Sequence, residues 1–136
     1  MPTLVLDTNI VLDLFLFADA RARLLGEHLE RGGANWLATA AMRDELERVL
    51  AYDHIESRLD FYRLRAVDVL TRFDRHARIV DAPAKAPVTC KDPDDQKFID
   101  LAVAHRSMLL SKDAAVLAMT KRLALLDVIA APVMPV

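Results

Sequence analysis

Cysteine occurs once in these 136 residues, at Cys90, glycine three times and proline six times. One thiol excludes an internal disulfide and suits a reducing compartment; Cys90 itself reads first as a small buried hydrophobe. So little glycine and proline beside 54% hydrophobic residues excludes a disordered chain and favours a compact, helix-rich one. A basic surplus is missing too: the formal net charge is −2 and the pI near 6.1, which excludes a broadly basic nucleic-acid binder. An enzyme acting on phosphates is not excluded, because a bound cation neutralises excess acid. Long apolar runs are absent as well. Ile10–Phe17 is interrupted by Asp13, and Val128–Val136 is about half a membrane span. Met1-Pro2-Thr3 carries no basic leader region. The expectation is a soluble, cytoplasmic protein with one domain over residues 1–136, free of repeats and low-complexity tracts.

What is present alternates between strand and helix signals. Thr3–Leu6 is a short apolar run with a polar stop at Asp7, as a buried parallel strand would be. Thr8–Phe17 and Ala20–Arg31 read as helices, the second ended by Gly32-Gly33. Trp36–Ala38 is a second strand, Thr39 an N-cap, and a helix follows to about Ala51. Another helix is expected over Leu59–Arg75 and a strand at Ile79-Val80. Ala82–Lys91, with Pro83 and Pro87, is a loop. Pro93 opens a helix to about His105, followed by a Met108–Leu110 strand, an Ala114–Leu125 helix and a Val128–Ala130 strand. This is the pattern of an α/β fold, a mostly parallel sheet covered on both faces. Ligands of such sheets sit beyond the carboxyl ends of the strands, where Asp7 and Asp113 both fall.

Helical geometry, at about 100° per residue, sorts the remaining acids. Met42, Leu46, Val49 and Leu50 form an apolar stripe, and Glu45 borders it while Asp44 and Glu47 project away. Alone, Glu45 is as readily a surface residue whose stem packs and whose head reaches water. Asp92-Pro93-Asp94-Asp95 taken alone reads first as a helix start, with Asp92 as N-cap and an acid completing a variant capping box. Asp95, however, stands three residues before Phe98 and seven before Ala102, above the inward face. Asp94 lies at the margin of that face as a reserve candidate, and Asp100 points away. Thr8 is free to cap the first helix, which leaves Asp7 available, with the Asn9 amide two residues on as support; Asp13 should face solvent. Asp113 taken singly is an N-cap. Carboxylates repel unless a cation holds them, so Asp7, Glu45, Asp95 and Asp113 gathered at one edge imply a hard divalent metal.

These residues resemble the PIN-domain family of metal-dependent nucleases, and within it the bacterial toxin-type, VapC-like branch. Leu4-Val5-Leu6-Asp7-Thr8-Asn9 resembles the opening strand with its D-T/S-N motif, and Thr39 with Glu45-Leu46 and Val49-Leu50 the segment carrying the helical glutamate. Cys90-Lys91-Asp92-Pro93-Asp94-Asp95-Gln96-Lys97-Phe98 is similar to the C-R-D-P-D-D-x-K-F pattern of one subgroup of toxin components. The family's acidic cluster falls on Asp7, Glu45, Asp95 and Asp113. The last motif departs from the usual T-G-D-x-D-L: Ser111 replaces the threonine, Lys112 a glycine, and Ala115 an acid.

The resemblance implies a three-layer α/β/α sandwich that cuts RNA with one or two Mg²⁺ or Mn²⁺ ions, leaving 5′-phosphate and 3′-hydroxyl ends. Asp7 and Asp95 would be core ligands, with Glu45 and Asp113 binding a second ion or holding its water, and Ser111 supporting them. Arg43, Arg48, Lys91 and Lys112 lie near the acids in sequence and are candidates for substrate grip, though each taken singly reads first as a solvated surface charge. Arg58, Arg63, Arg65, Arg72, Arg75 and Arg78 read as the exposed side of a helix. By family, a cognate antitoxin and a homodimer packed through the first two helices are implied partners. Two other classes compete. One is a degenerate PIN-like module that binds RNA or protein without cutting, suggested by the change at Ser111–Ala115. The other is an aspartyl phosphotransferase like the haloacid dehalogenases, which carry an acid where this chain has Asn9 and are usually longer.

Overall fold

The computed structural model describes residues 1–135, so Val136 at the end of the apolar tail lies outside the described residues. Five strands, β1 (Thr3–Leu6), β2 (Asn35–Ala38), β3 (Ala77–Ile79), β4 (Met108–Leu110) and β5 (Ala130–Ala131), form one sheet in the order β3-β2-β1-β4-β5. Every pairing in it is parallel. Parallel strands need crossovers, and the helices supply them: α1 (Thr8–Phe15), α2 (Arg23–Glu30), α3 (Ala40–Leu50), α4 (Asp53–Phe61), α5 (Ala66–His76), α6 (Gln96–His105), α7 (Ala114–Leu117) and α8 (Thr120–Ala124). The chain winds outward from β1 to β3, then returns past β1 to β4 and β5. Right-handed crossovers therefore put α1–α5 on one face and α6–α8 on the other. The α/β/α sandwich expected from the alternation is the observed fold.

Strands buried on both faces must be apolar throughout, and Leu4, Val5, Leu109 and Leu110 are within 1% of complete burial. Trp36 on β2 anchors the α1–α5 side, with Phe73 edge-on at 4.9 Å and Phe15 at 6.0 Å. On α3 the expected stripe is buried at Met42, Leu46 and Leu50. Phe98, Leu101 and Ala102 of α6 fill the opposite side. Cys90 is buried in the same core.

Three expected helices are broken. Leu59–Arg75 is not one helix but α4 and α5, separated by an elbow in which Arg63 adopts a φ of 57°. Leu59 belongs to the buried face of α4 and Val69 to that of α5. The new helix starts where the Asp68 carboxylate accepts from the Arg65 N–H at 2.8 Å. Ala114–Leu125 likewise divides into α7 and α8 around Ala118-Met119, and Ala20–Arg31 begins as a 3-10 turn before α2.

Order reversal in the sheet occurs between β1 and β4, which is where open parallel sheets bind ligands. Leu6 is in register with Leu110, and the Asp7 N–H donates to the Leu110 carbonyl at 3.0 Å. Both chains therefore leave the sheet side by side, at Asp7 and at Ser111.

Candidate metal centre

Each acid owes its place to a local rule. Asp7 follows the last residue of β1 and caps α1, its Oδ1 accepting from the Asn9 N–H at 3.3 Å. Thr8 therefore does not take the capping role expected of it. Asp113 caps α7, accepting from the Ala115 N–H at 2.8 Å. In the Asp92–Asp95 turn the cap is Asp92, which accepts from the Asp94 N–H at 2.9 Å. Asp95 takes no part in that cap and is buried above Phe98, at 7% exposure.

The fold brings Asp7, Asp95 and Asp113 together, with one carboxylate oxygen from each lying within 4.8 Å of the others. Ser111, fully buried, organises two of them: its hydroxyl donates to Asp7 Oδ2 at 2.7 Å and accepts from the Asp113 N–H at 3.0 Å. Asp95 Oδ2 is buried and has no hydrogen-bond partner among the described residues. Burial, followed by the charges of Asp7, Asp113 and Asp92, pushes the Asp95 carboxyl up to about 7. Asp7 is also raised, chiefly by burial, against the lowering pull of Ser111. Three clustered carboxylates, one with an unpartnered buried oxygen, are an arrangement that a divalent cation stabilises and water alone does not. All-oxygen donors at this spacing fit Mg²⁺ or Mn²⁺.

A family model for the PIN domain matches residues 3–115. The chain belongs to the PIN domain family. Its fold is similar to a chain in the crystal structure of VapBC2 from Rickettsia felis bound to a DNA fragment from their promoter. The TM-score is 0.62, at 15% identity over 94% of this chain and 96% of that one. No curated protein matches the chain.

Around the triad this PIN domain departs from simple expectation in several places. Glu45 stands beside the triad rather than in it, half-buried at the rim of α3. The Thr8 hydroxyl donates to its Oε2, and Lys97 Nζ pairs with its Oε1 at 2.6 Å. Asp13 does not face solvent: it is 8% exposed and pairs with Lys112 Nζ at 2.5 Å. Lys112, expected as a grip on phosphate, is thereby engaged on α1. Arg43 is engaged as well, bidentate on Asp74 of α5 at 2.7 and 2.9 Å. Lys91 and Arg48 are exposed. Asn9 is exposed and serves Asp7 through its backbone. Asp94 is exposed, and its carbonyl accepts from Lys97 Nζ at 2.5 Å.

Sequence reasoning missed Lys97, Thr8 and Gln96. The signal for Lys97 lay in the Cys90–Phe98 motif, where the lysine is as specific as the acids, and that for Thr8 in the D-T/S-N motif, whereas Gln96 falls on a variable position. Gln96 Oε1 accepts from the Cys90 N–H at 2.6 Å, while its amide donates to the Val88 carbonyl and to Asp100. Asp100, correctly read as pointing away, accepts from the Ala86 N–H at 2.9 Å. Together they fasten the 82–91 loop to α6.

Proposed function

We propose that this PIN domain, formed by residues 1–136 as a unit, is a Mg²⁺- or Mn²⁺-dependent endoribonuclease and the toxin component of a toxin–antitoxin pair. One observation carries the reading: three carboxylates converge at the switch point of the sheet, and the buried Oδ2 of Asp95 lacks a hydrogen-bond partner among the described residues. Asp7, Asp95 and Asp113 would hold the ion. When bound, a divalent ion activates water and stabilises charge on the attacked phosphate. The chain's own part is positioning. Ser111 ties the Asp7 carboxylate to the Asp113 backbone N–H, Asp95 comes from the turn that leads into α6, and burial shields Asp7 and Asp95 from solvent. Hydrolysis adds a water oxygen to phosphorus and breaks its bond to the 3′ oxygen, which takes up the proton; 5′-phosphate and 3′-hydroxyl ends result.

Of the four cations near the acids in sequence, the exposed Lys91 and Arg48 are the ones left to meet the RNA backbone, since Arg43 and Lys112 are paired within the protein. A cognate antitoxin is supported by the likeness to VapBC2, a complex of two components on their promoter DNA. A groove of about 830 Å³, with Leu14, Phe15, Ala22 and Leu29 among its lining residues, runs between α1, α2 and α5 and suits such a partner or a second copy of the chain. No helix among the described residues is long and apolar enough to cross a membrane, in keeping with a cytoplasmic site of action.

A second reading rests on Ala115, where the family's motif has an acid: a PIN-like module that binds RNA or protein without cutting. Cleavage of a complex RNA pool with Mn²⁺, new 5′-phosphate ends being mapped by sequencing, separates the two. Discrete ends with the wild type and none with Asp95→Asn are expected. Identical patterns from both proteins would overturn the nuclease reading.

A further inference from the structure

Glu45 is the acid of the site whose charge is already answered. Thr8 donates to one oxygen of its carboxylate and Lys97 Nζ sits 2.6 Å from the other. The pair is sheltered, with side-chain exposures of 27% for Lys97 and 19% for Glu45. Lys97 is itself fixed. A lysine ammonium has three N–H donors; this one meets Glu45 and the Asp94 carbonyl at 2.5 Å, and lies 4.9 Å from the centroid of the Phe98 ring. It is thus poorly placed to reach out for phosphate. The clamp is also built from the triad's own segments, because Thr8 follows Asp7 and Lys97 stands two residues after Asp95.

We propose that Lys97 is a built-in cation standing in for a second divalent ion, so that the centre takes one ion on Asp7, Asp95 and Asp113 while Glu45 stays an acceptor beside it. The inference rests on the metal-centre reading above and deepens it. A divalent ion on Glu45 would have to displace the ammonium or lie against it, and like charges that close repel strongly where water is scarce. With Lys97 on Glu45, three carboxylates remain for one divalent ion. Without Lys97, four carboxylates match the charge of two. Lys97 acts here as a positioning residue, through Glu45 and the charge of the site.

The test is a count of Mn²⁺ ions bound per chain, by calorimetry with electron paramagnetic resonance of the free ion. Wild type and Lys97→Arg should bind one. Lys97→Met should bind two, and Lys97→Met with Glu45→Gln one again. Two ions on the wild type would overturn the proposal without any variant being needed. A single ion on a folded Lys97→Met protein, as judged by circular dichroism, would overturn it too. No ion on the wild type would remove the metal centre itself, an outcome distinct from both.

Discussion

Asp95 is the residue whose environment departs furthest from that of an ordinary acid. Its carboxyl is pushed up from 3.8 to about 7 by burial and by its acidic neighbours. Between those values the unfolded chain has released the proton that the folded one still holds. Raising the pH across that window therefore destabilises the metal-free protein, and the loss is complete above about 7. Thermal melts in EDTA should fall as pH rises from about 4 to 7. Asp95→Asn should flatten that fall and melt higher than wild type at pH 8, leaving a residual slope from Asp7. Parallel curves for the two proteins would contradict this. The three triad acids were legible in the sequence because each sits at a strand end or helix start that local patterns reveal. Asp13 was not, because its burial depends on Lys112, 99 positions away, reaching back to α1. Lys112→Ala should accordingly cost stability, about 1–3 kcal/mol for the charge left without its partner, measured by urea denaturation. Lys112→Ala/Asp13→Ala should recover part of it. A Lys112→Ala protein of unchanged stability would show that the pair is a surface contact of no weight.

At the scale of elements, strand and helix order followed directly from alternation, while helix continuity did not. The break falls at Arg63, in the left-handed region without a glycine or proline, so nothing local announces it. The 82–91 segment was rightly read as a loop, yet what holds it lay in two polar residues whose partners are distant in the chain. Gln96 and Asp100 hold the backbone at Val88, Cys90 and Ala86, and so hold the approach to Asp95. Gln96→Ala should leave the Cys90 N–H without its side-chain acceptor and the Val88 carbonyl with only the longer Lys85 contact at 3.4 Å, costing about 1–3 kcal/mol locally. Hydrogen exchange checks it: the Cys90 amide should exchange roughly 10-fold faster or more, while amides of β1 and β4 keep their protection. Uniform acceleration throughout the sheet would mean the loop unfolds only with the global fold rather than as a separately fastened segment.

For the whole molecule, composition bounded the answer and topology supplied the rest. An acidic chain without a broad basic surface acts on a polyanion only through a local centre, and the sheet order β3-β2-β1-β4-β5 creates that centre by placing the ends of β1 and β4 together. Strand order is set by which edges pair in three dimensions, and short apolar strands such as Met108–Leu110 carry no mark of their neighbours. The convergence of Asp7 with Asp113, more than a hundred positions apart, therefore rests on the Leu6–Leu110 register, which strand patterns alone do not specify. Everything proposed for this PIN domain depends on a divalent ion being held there. Anomalous diffraction at the manganese edge, from crystals grown with Mn²⁺, tests that most directly. A peak bonded to carboxylate oxygens of Asp7, Asp95 and Asp113, absent in Asp95→Asn, is the predicted result. A triad without density, or manganese bound only elsewhere on the chain, would contradict it.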